Sequence, residues 1–336
     1  MNKKLNVLVV FDDSRHLSLD EDYETFLKAP ERKAELHVYE ALKNLGHQVR
    51  LLALTSEVDV LLEEIKRHRP DIVFNQVEKF NGNALQERNV MGLLEMLQIP
   101  YTGTGTSGLM LSKNKGLAKK ILAHHRIKTP AFTVLHRGSR VSPPKKLKYP
   151  LIVKPLREEA SYGISMNSFV EDDESFIERV RFVHESMEQG AIAEEYVDGR
   201  ELYVGILGNH RLQVFPPREM IFGEVPDEEP KIATFKAKWD EKYRKRWGIK
   251  NCFANHLSET LLGKIEGVSK KIYNYLYLLG YARLDLRLTP QNEIVFLEAN
   301  PNPFIARDED FALSAAKAGI DYEDLIQRIL NYGLGH

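Results

Sequence analysis

The chain has 336 residues, 43% of them hydrophobic and 28% charged, with a formal net charge of −1. That length supports roughly two or three subdomains with cores of their own, and the composition excludes a largely disordered chain. Near-neutrality excludes a whole-surface nucleic-acid binder, and no apolar run approaches the roughly 18 residues of a membrane span.

The first apolar run, LNVLVVF, follows Lys3 and Lys4 as a signal peptide would, but it meets Asp12 and Asp13 with no small-residue cleavage site. It therefore predicts a buried first strand and a cytoplasmic protein. Next, Ala34, Val38, Ala41, Leu42 and Leu45 fall at helical spacing and stop at Gly46, a C-terminal cap. The segments QVRLLAL, DVLLEEIKRHR, DIVFN and ALQERNVMGLLEMLQ predict strand, helix, strand and helix. Such alternation predicts an α/β parallel sheet whose binding crevice lies at the carboxyl ends of its strands, where Asn75, Gln76 and Glu78 fall.

Lys, Pro and Ser punctuate Lys113 to Pro150 and mark a domain boundary. Beyond it come the strand LIVKP, the loop LREEASYGIS, a helix from about Glu171 to Gly190, and the strand AIAEEYV. RELYVGILGN then turns at GNH and returns as RLQVFP. The periodicity of FKAKWDEKYRKRWGIKN is weak and predicts a long, mostly irregular loop. The lone thiol of Cys252 has no His or Asp pattern around it and reads as structural, in keeping with a reducing compartment. A helix over SETLLGKIEGVSKKIYNYLYLLG leads into the paired strands YARLDLRLT and NEIVFLEAN.

In the first of those strands Arg283, Asp285 and Arg287 alternate with apolar residues, and in the second Glu298 and Asn300 share a face. The turn TPQNE makes the strands antiparallel partners. If their polar faces coincide, Asp285, Glu298 and Asn300 converge as hard oxygen donors suited to Mg²⁺; IVFLEANPNP taken alone reads as a solvated edge. Lys154 stands on an apolar strand, where a charge needs a partner or a ligand. Lys115, Lys119 and Lys238, taken singly, read as solvated surface lysines. The backbone amides of REEASYGIS could lie over phosphates, although the chain has no GxxxxGK[ST].

The ordered set FNQVE, IPYTGTGTSGLMLSKNKGLAKKIL, YPLIVKPLREEASYGIS, AIAEEYVDGRELYVGIL, FKAKW and ARLDLRL with IVFLEANPNP resembles the ATP-grasp superfamily, in its branch of D-alanine:D-alanine ligases. The likeness runs from Phe74 to Pro303. It implies an α/β ATP-grasp fold in which a Rossmann-like domain (1–110) precedes two α+β subdomains (111–198 and 199–336) that enclose a nucleotide. By resemblance, Lys115 and Lys154 contact the phosphates of ATP beneath the loop holding Ser161. Glu194, Glu195 and Val197 line the adenine, and Glu201 reaches the ribose. Lys238 approaches the γ-phosphate, while Asp285, Glu298 and Asn300 hold Mg²⁺, two ions by family expectation with Mn²⁺ as a substitute. Arg283 stabilises the transferred phosphoryl group. The implied reaction makes an acyl phosphate from a carboxylate and lets an amine displace the phosphate.

The likeness breaks where substrates would bind. FDDSRHLSLDEDYETFLKAPERKAE lacks the family's Gly-rich turn and Ser-Glu motif, Ala160 stands for its loop serine and Trp239 for its tyrosine. NPNPFIARDEDF puts Phe304 at a glycine position, where it restricts the backbone. Glu309 and Asp310 replace the Ser-Leu pair that receives a carboxylate. Acidic groups there repel a carboxylate and favour an amine; their plainer reading is a pair complementing a helix dipole. The expectation is an ATP-dependent carboxylate-amine ligase with amino-acid or peptide substrates other than D-alanine, no nucleic-acid or membrane partner, and a homodimer as in the family. The competing readings are an ATP-binding regulatory or scaffold protein without ligase activity, and a nucleic-acid contact at KAKWDEKYRKRW, which Asp240 and Glu241 interrupt.

Overall fold

The computed structural model describes residues 3–15, 22–158, 161–226 and 229–335. Strands β1 (Asn6–Asp12), β2 (Gln48–Leu54) and β3 (Ile72–Gln76) form a parallel sheet in the order β2-β1-β3. Val7 and Val9 of β1 pack with the helix Lys33–Asn44, while Leu8 and Val10 pack with the helices Val58–Arg67 and Glu87–Met96. Burial on both faces is why β1 reads as a continuous apolar run rather than an alternating one. Gly46, with φ of +83°, closes the first of these helices as expected. The first face is completed from far along the chain: Leu325, Ile326, Ile329 and Leu330 of the helix Tyr322–Leu334 share its core.

A second sheet contains β4 (Phe132–Leu135), β5 (Leu151–Pro155), β6 (Phe169–Val170) and β7 (Ala191–Glu195), antiparallel in the order β4-β7-β5-β6. Phe176, Val180 and Val183 of the helix Asp173–Ser186 cover it. Ahead of this sheet, inside the stretch expected to be a punctuated boundary, lies the helix Lys115–His124, capped by Asn114 accepting from the Leu117 amide.

The third sheet contains β8 (Arg200–Leu207), β9 (Gln213–Val214), β10 (Arg218–Phe222), β11 (Ile249–Phe253), β12 (Tyr281–Leu288) and β13 (Ile294–Pro301). Its order is β11-β10-β8-β12-β13, with β9 also pairing β8. Leu202, Val204, Leu284 and Leu286 turn one face toward Ile265 and Ile272 of the helix Glu259–Tyr275. The opposite face is polar. A bulge interrupts the β12/β13 ladder, where Asp285 opposes Glu298 but Leu286 opposes Phe296, leaving Leu297 unmatched.

One expectation is corrected. FKAKWDEKYRKRWGIKN is not an irregular loop but the helices Phe235–Trp239 and Glu241–Arg246 followed by β11. Thr234 and Asp240 cap the helices, accepting from the amides of Ala237 and Tyr243. Each helix is too short to display a full amphipathic period, so the caps carry the signal. Among the described residues no helix is long and apolar enough to cross a membrane.

Candidate functional site

The polar face of the third sheet draws Glu201 and Tyr203 from β8, Arg283, Asp285 and Arg287 from β12, and Glu298 and Asn300 from β13. Register sets Asp285 between Tyr203 and Glu298, and Arg283 opposite Asn300. Arg283 grips Asp285 with two bonds, Nε to Oδ1 at 2.7 Å and Nη2 to Oδ2 at 3.1 Å. Asn300 donates its amide to Asp285 Oδ1 at 3.0 Å, and Lys238 Nζ lies 3.8 Å from Oδ2. Both Arg283 and Lys238 stand over the Tyr203 ring, at 5.1 and 5.7 Å from its centroid. Burial pushes the Arg283 pKa down, but Asp285 more than offsets it and holds the guanidinium charged.

A second set of charges meets the first across Glu298. Lys115 Nζ is 2.6 Å from Glu298 Oε1 and also donates to the Glu158 carbonyl. Lys154 lies 3.0 Å and Lys119 3.4 Å from the two oxygens of Glu194. Lys119 further donates to the carbonyl of Leu297 at 2.7 Å. Burial would raise the Glu298 pKa, yet Lys115 and Lys154 outweigh it and bring the carboxyl to about 2. Glu194 is likewise held below its usual range, with burial overcome by Lys119 and Lys154. For Lys119 burial wins despite Glu194, and its pKa falls to about 8; for Lys154, Glu194 and Glu298 outweigh burial and raise it.

These placements correct the reading of solvated lysines. Lys115 is 4% exposed and Lys119 0%, because positions i and i+4 of the helix Lys115–His124 share the face turned toward β13 and β7. Lys238 keeps only 15% of its side-chain exposure. The charge of Lys154 on its apolar strand has the partner that position demands.

Other expected residues lie around this centre. Ser161 donates its hydroxyl to the Ala233 carbonyl at 2.7 Å, in a left-handed turn with φ of +59°. Glu201 pairs with Arg287 at 3.0 Å and accepts from the Tyr203 hydroxyl at 3.1 Å. Glu195 accepts from the Lys148 amide at 2.8 Å, and half-buried Val197 follows just past β7. Sequence reasoning missed Tyr203 and the pairing of Glu201 with Arg287, although the alternation of Glu201, Tyr203 and Gly205 with apolar neighbours on β8 carries the signal of a polar face.

Where the resemblance leads substrates to be expected, both oxygens of Asp310 are engaged, Oδ1 by Arg218 Nε at 2.9 Å and Oδ2 by Asn251 Nδ2. Glu309 is the N-cap residue of the helix Asp310–Lys317 without capping it through its side chain, and burial together with Asp310 raises its pKa. Asn75, buried at the end of β3, accepts from the Val77 amide. Trp239 is 50% exposed. Ala160 and the part of the N-terminal segment from residue 16 to 21 lie outside the described residues.

Comparison with known proteins identifies relatives of this chain. Residues 121–331 match the family described as D-ala D-ala ligase C-terminus. The D-alanine–D-alanine ligase of Aquifex aeolicus is 31% identical over 295 residues, 87% of this chain and 92% of that protein. An uncharacterized protein, y4sG, of Sinorhizobium fredii is 29% identical over 307 residues, 90% of this chain and 88% of its own. In fold, the chain is similar to the crystal structure of D-alanine–D-alanine ligase from Bacillus anthracis complexed with ATP, with a TM-score of 0.75, 21% identity and 98% coverage of both chains.

Proposed function

Because this chain belongs to the D-alanine–D-alanine ligase family, and is an ADP-forming ligase of ATP-grasp fold, we propose that it joins a carboxylate to an amine through an acyl phosphate, with an amino acid or peptide other than D-alanine among its substrates. The observation that carries this reading is the convergence on Glu298 and Asp285 of Lys115, Lys154, Lys238 and Arg283. Cations gathered around ionised carboxylates suit a ligand that brings both phosphate charge and metal charge.

In this reading the nucleotide lies between the second and third sheets. Its phosphates take the ammonium groups of Lys115 and Lys154, with Ser161 in the loop above, and Glu194 fixes Lys154. The segment of Glu195 to Val197 lies along the base, and Glu201 faces the ribose. Among the described residues no cluster of three His, Cys, Asp or Glu could hold a metal, so the amide oxygen of Asn300 completes the set begun by Asp285 and Glu298. An all-oxygen set with Glu298 ionised fits Mg²⁺, which when bound would neutralise phosphate charge. Lys238 and Arg283 then hold the transferred phosphoryl group, where charge develops and fixed donors count most. On the amine side, Glu309 places acid where a carboxylate would be repelled, which supports a substrate other than D-alanine, while Asp310 is already paired with Arg218.

The test is ADP release from Mg²⁺-ATP with pools of L-amino acids, D-amino acids and dipeptides, with mass spectrometry of the products. Substrate-dependent release with a condensation mass is the expected result. D-alanyl-D-alanine as the sole product would overturn the substrate assignment. ATP binding without release from any pool would favour a nucleotide-binding protein without ligase activity.

A further inference from the structure

The short helix that carries Lys238 is held at its carboxyl end by a chain of side chains that begins at the substrate end of the site. Arg244 Nη1 donates to the carbonyl of Ala237 at 2.5 Å, and its Nη2 donates to Asn251 Oδ1 at 3.3 Å. Asn251 Nδ2 donates to Asp310 Oδ2, and Arg218 Nε donates to Asp310 Oδ1 at 2.9 Å. Arg218 also donates to the Asn251 carbonyl at 3.1 Å and lies over the Phe253 ring at 4.6 Å. The Arg218 and Asp310 side chains keep only 10% and 17% of their exposure.

A helix of five residues cannot hold itself, because nucleation costs more than its few bonds return. Its location is set from outside. At the amino end Thr234 caps it; at the other end the Ala237 carbonyl, one of those a helix terminus leaves without an intrahelical partner, is held by Arg244. We infer that Arg244 and Asp310 are positioning residues for Lys238, joined through Asn251, so that the start of the helix Asp310–Lys317 and the ammonium proposed to meet the γ-phosphate keep one fixed relation. The inference rests on the proposed role of Lys238. It also assigns Asp310 away from direct substrate contact, since both its oxygens are engaged within the chain.

The connections have a direction that makes them testable. Each donor meets an acceptor only while position 251 is an amide and position 310 a carboxylate, or the reverse. Asp310→Asn sets an amide donor against Asn251 or Arg218, and Asn251→Asp sets two carboxylates together. The exchange of both restores every pair: the new carboxylate accepts from Arg244 and from the new amide, whose oxygen accepts from Arg218.

The experiment compares these three variants and Arg244→Ala with the wild type in ATP-dependent turnover, in thermal midpoint, and in the labelling rate of Lys238 by an acyl phosphate of ATP, whose γ-linked acyl group passes to a lysine amine at the γ-phosphate as ATP leaves, read by mass spectrometry. The single variants are expected to lose roughly tenfold or more in kcat with a smaller change in KM for ATP, and to label Lys238 more slowly. The double variant should return to within about threefold of wild type. Single variants with wild-type kcat and labelling would overturn the inference. So would a double variant as impaired as its parents while all keep the wild-type thermal midpoint; if the exchanged pair does not fold, Arg244→Ala decides alone. A wild type that labels at Lys238 but releases no ADP sinks the ligase reading and leaves the labelling comparison to judge this one. Absence of labelling in the wild type removes Lys238 from the phosphates, and the inference with it.

Discussion

Lys119 caps the bulge at Leu297. The residue left unmatched in the β12/β13 ladder turns its carbonyl to the Lys119 ammonium at 2.7 Å, from a helix 178 residues earlier in the chain. By strict alternation Phe296 would share the face of Glu298 and Asn300. The extra residue lets Phe296 enter the core, where it is 1% exposed, while Glu298 stays beside Asp285.

Replacing Lys119 with Met should therefore destabilise the protein by about 1–3 kcal/mol, the usual cost of leaving a buried acceptor without its donor. Glu194 would keep Lys154 as its partner, and the Leu297 carbonyl would lose its donor. Urea unfolding measures this, and a change below about 1 kcal/mol would show that the pair and the cap matter little.

The same lysine gives a pH signature. Its folded pKa of about 8 lies below the ordinary 10.5, because burial lowers it more than Glu194 raises it. Between these values the unfolded chain binds the extra proton, so stability contributed at this site rises with pH across that window. Wild type should gain stability relative to Lys119→Met from pH 8 to 10.5; a parallel pair of curves would refute the assignment.

Glu298→Gln removes the carboxylate that holds Lys115 at 2.6 Å and is proposed to bind the metal. Turnover should be abolished with secondary structure by circular dichroism unchanged. Wild-type rates in this variant would remove Glu298 from the metal set.

Arg283→Ala should lower kcat by roughly 100-fold or more, as expected when a fixed donor to developing charge is lost, with a much smaller effect on KM for ATP. A change confined to KM would instead make Arg283 a ground-state contact.

Thr234→Ala deletes the cap of the helix bearing Lys238 and should cost about 1 kcal/mol. Because the Lys238 amide bonds to the Thr234 carbonyl rather than to its hydroxyl, local fraying should show first as faster amide exchange across Phe235–Trp239. Unchanged exchange there would mean that Arg244 alone suffices to hold the helix.

The parallel sheet, the β12/β13 pairing and the shared face of Arg283 and Asp285 were all legible, since each rests on local period and turn chemistry. What hid the rest was distance along the chain. Nothing near Lys119 announces Glu194 or Leu297, and a lysine judged by its neighbours alone looks solvated. The bulge was illegible because IVFLEANP alternates acceptably in either register until Phe296 must choose between core and site. FKAKW and EKYRKR are shorter than two helical turns, so periodicity misses them while Thr234 and Asp240 mark their starts. The family resemblance supplied expected roles for the lysines, which local pattern could not.

The helix Tyr322–Leu334 has a bearing on biosynthesis. Its Leu325, Ile326, Ile329 and Leu330 cover the same face of the first sheet as Val7 and Val9. On the ribosome, β1 to β3 are long since translated when this helix emerges, so until then that face stays partly bare and open to chaperones or to its neighbours on a polysome. Nascent chains stalled before Tyr322 should accordingly be cleaved by protease within Asn6–Gln76, and chains extended past Leu334 and clear of the exit tunnel should resist. Equal resistance of the two would show that the sheet completes itself without waiting for its distant cover.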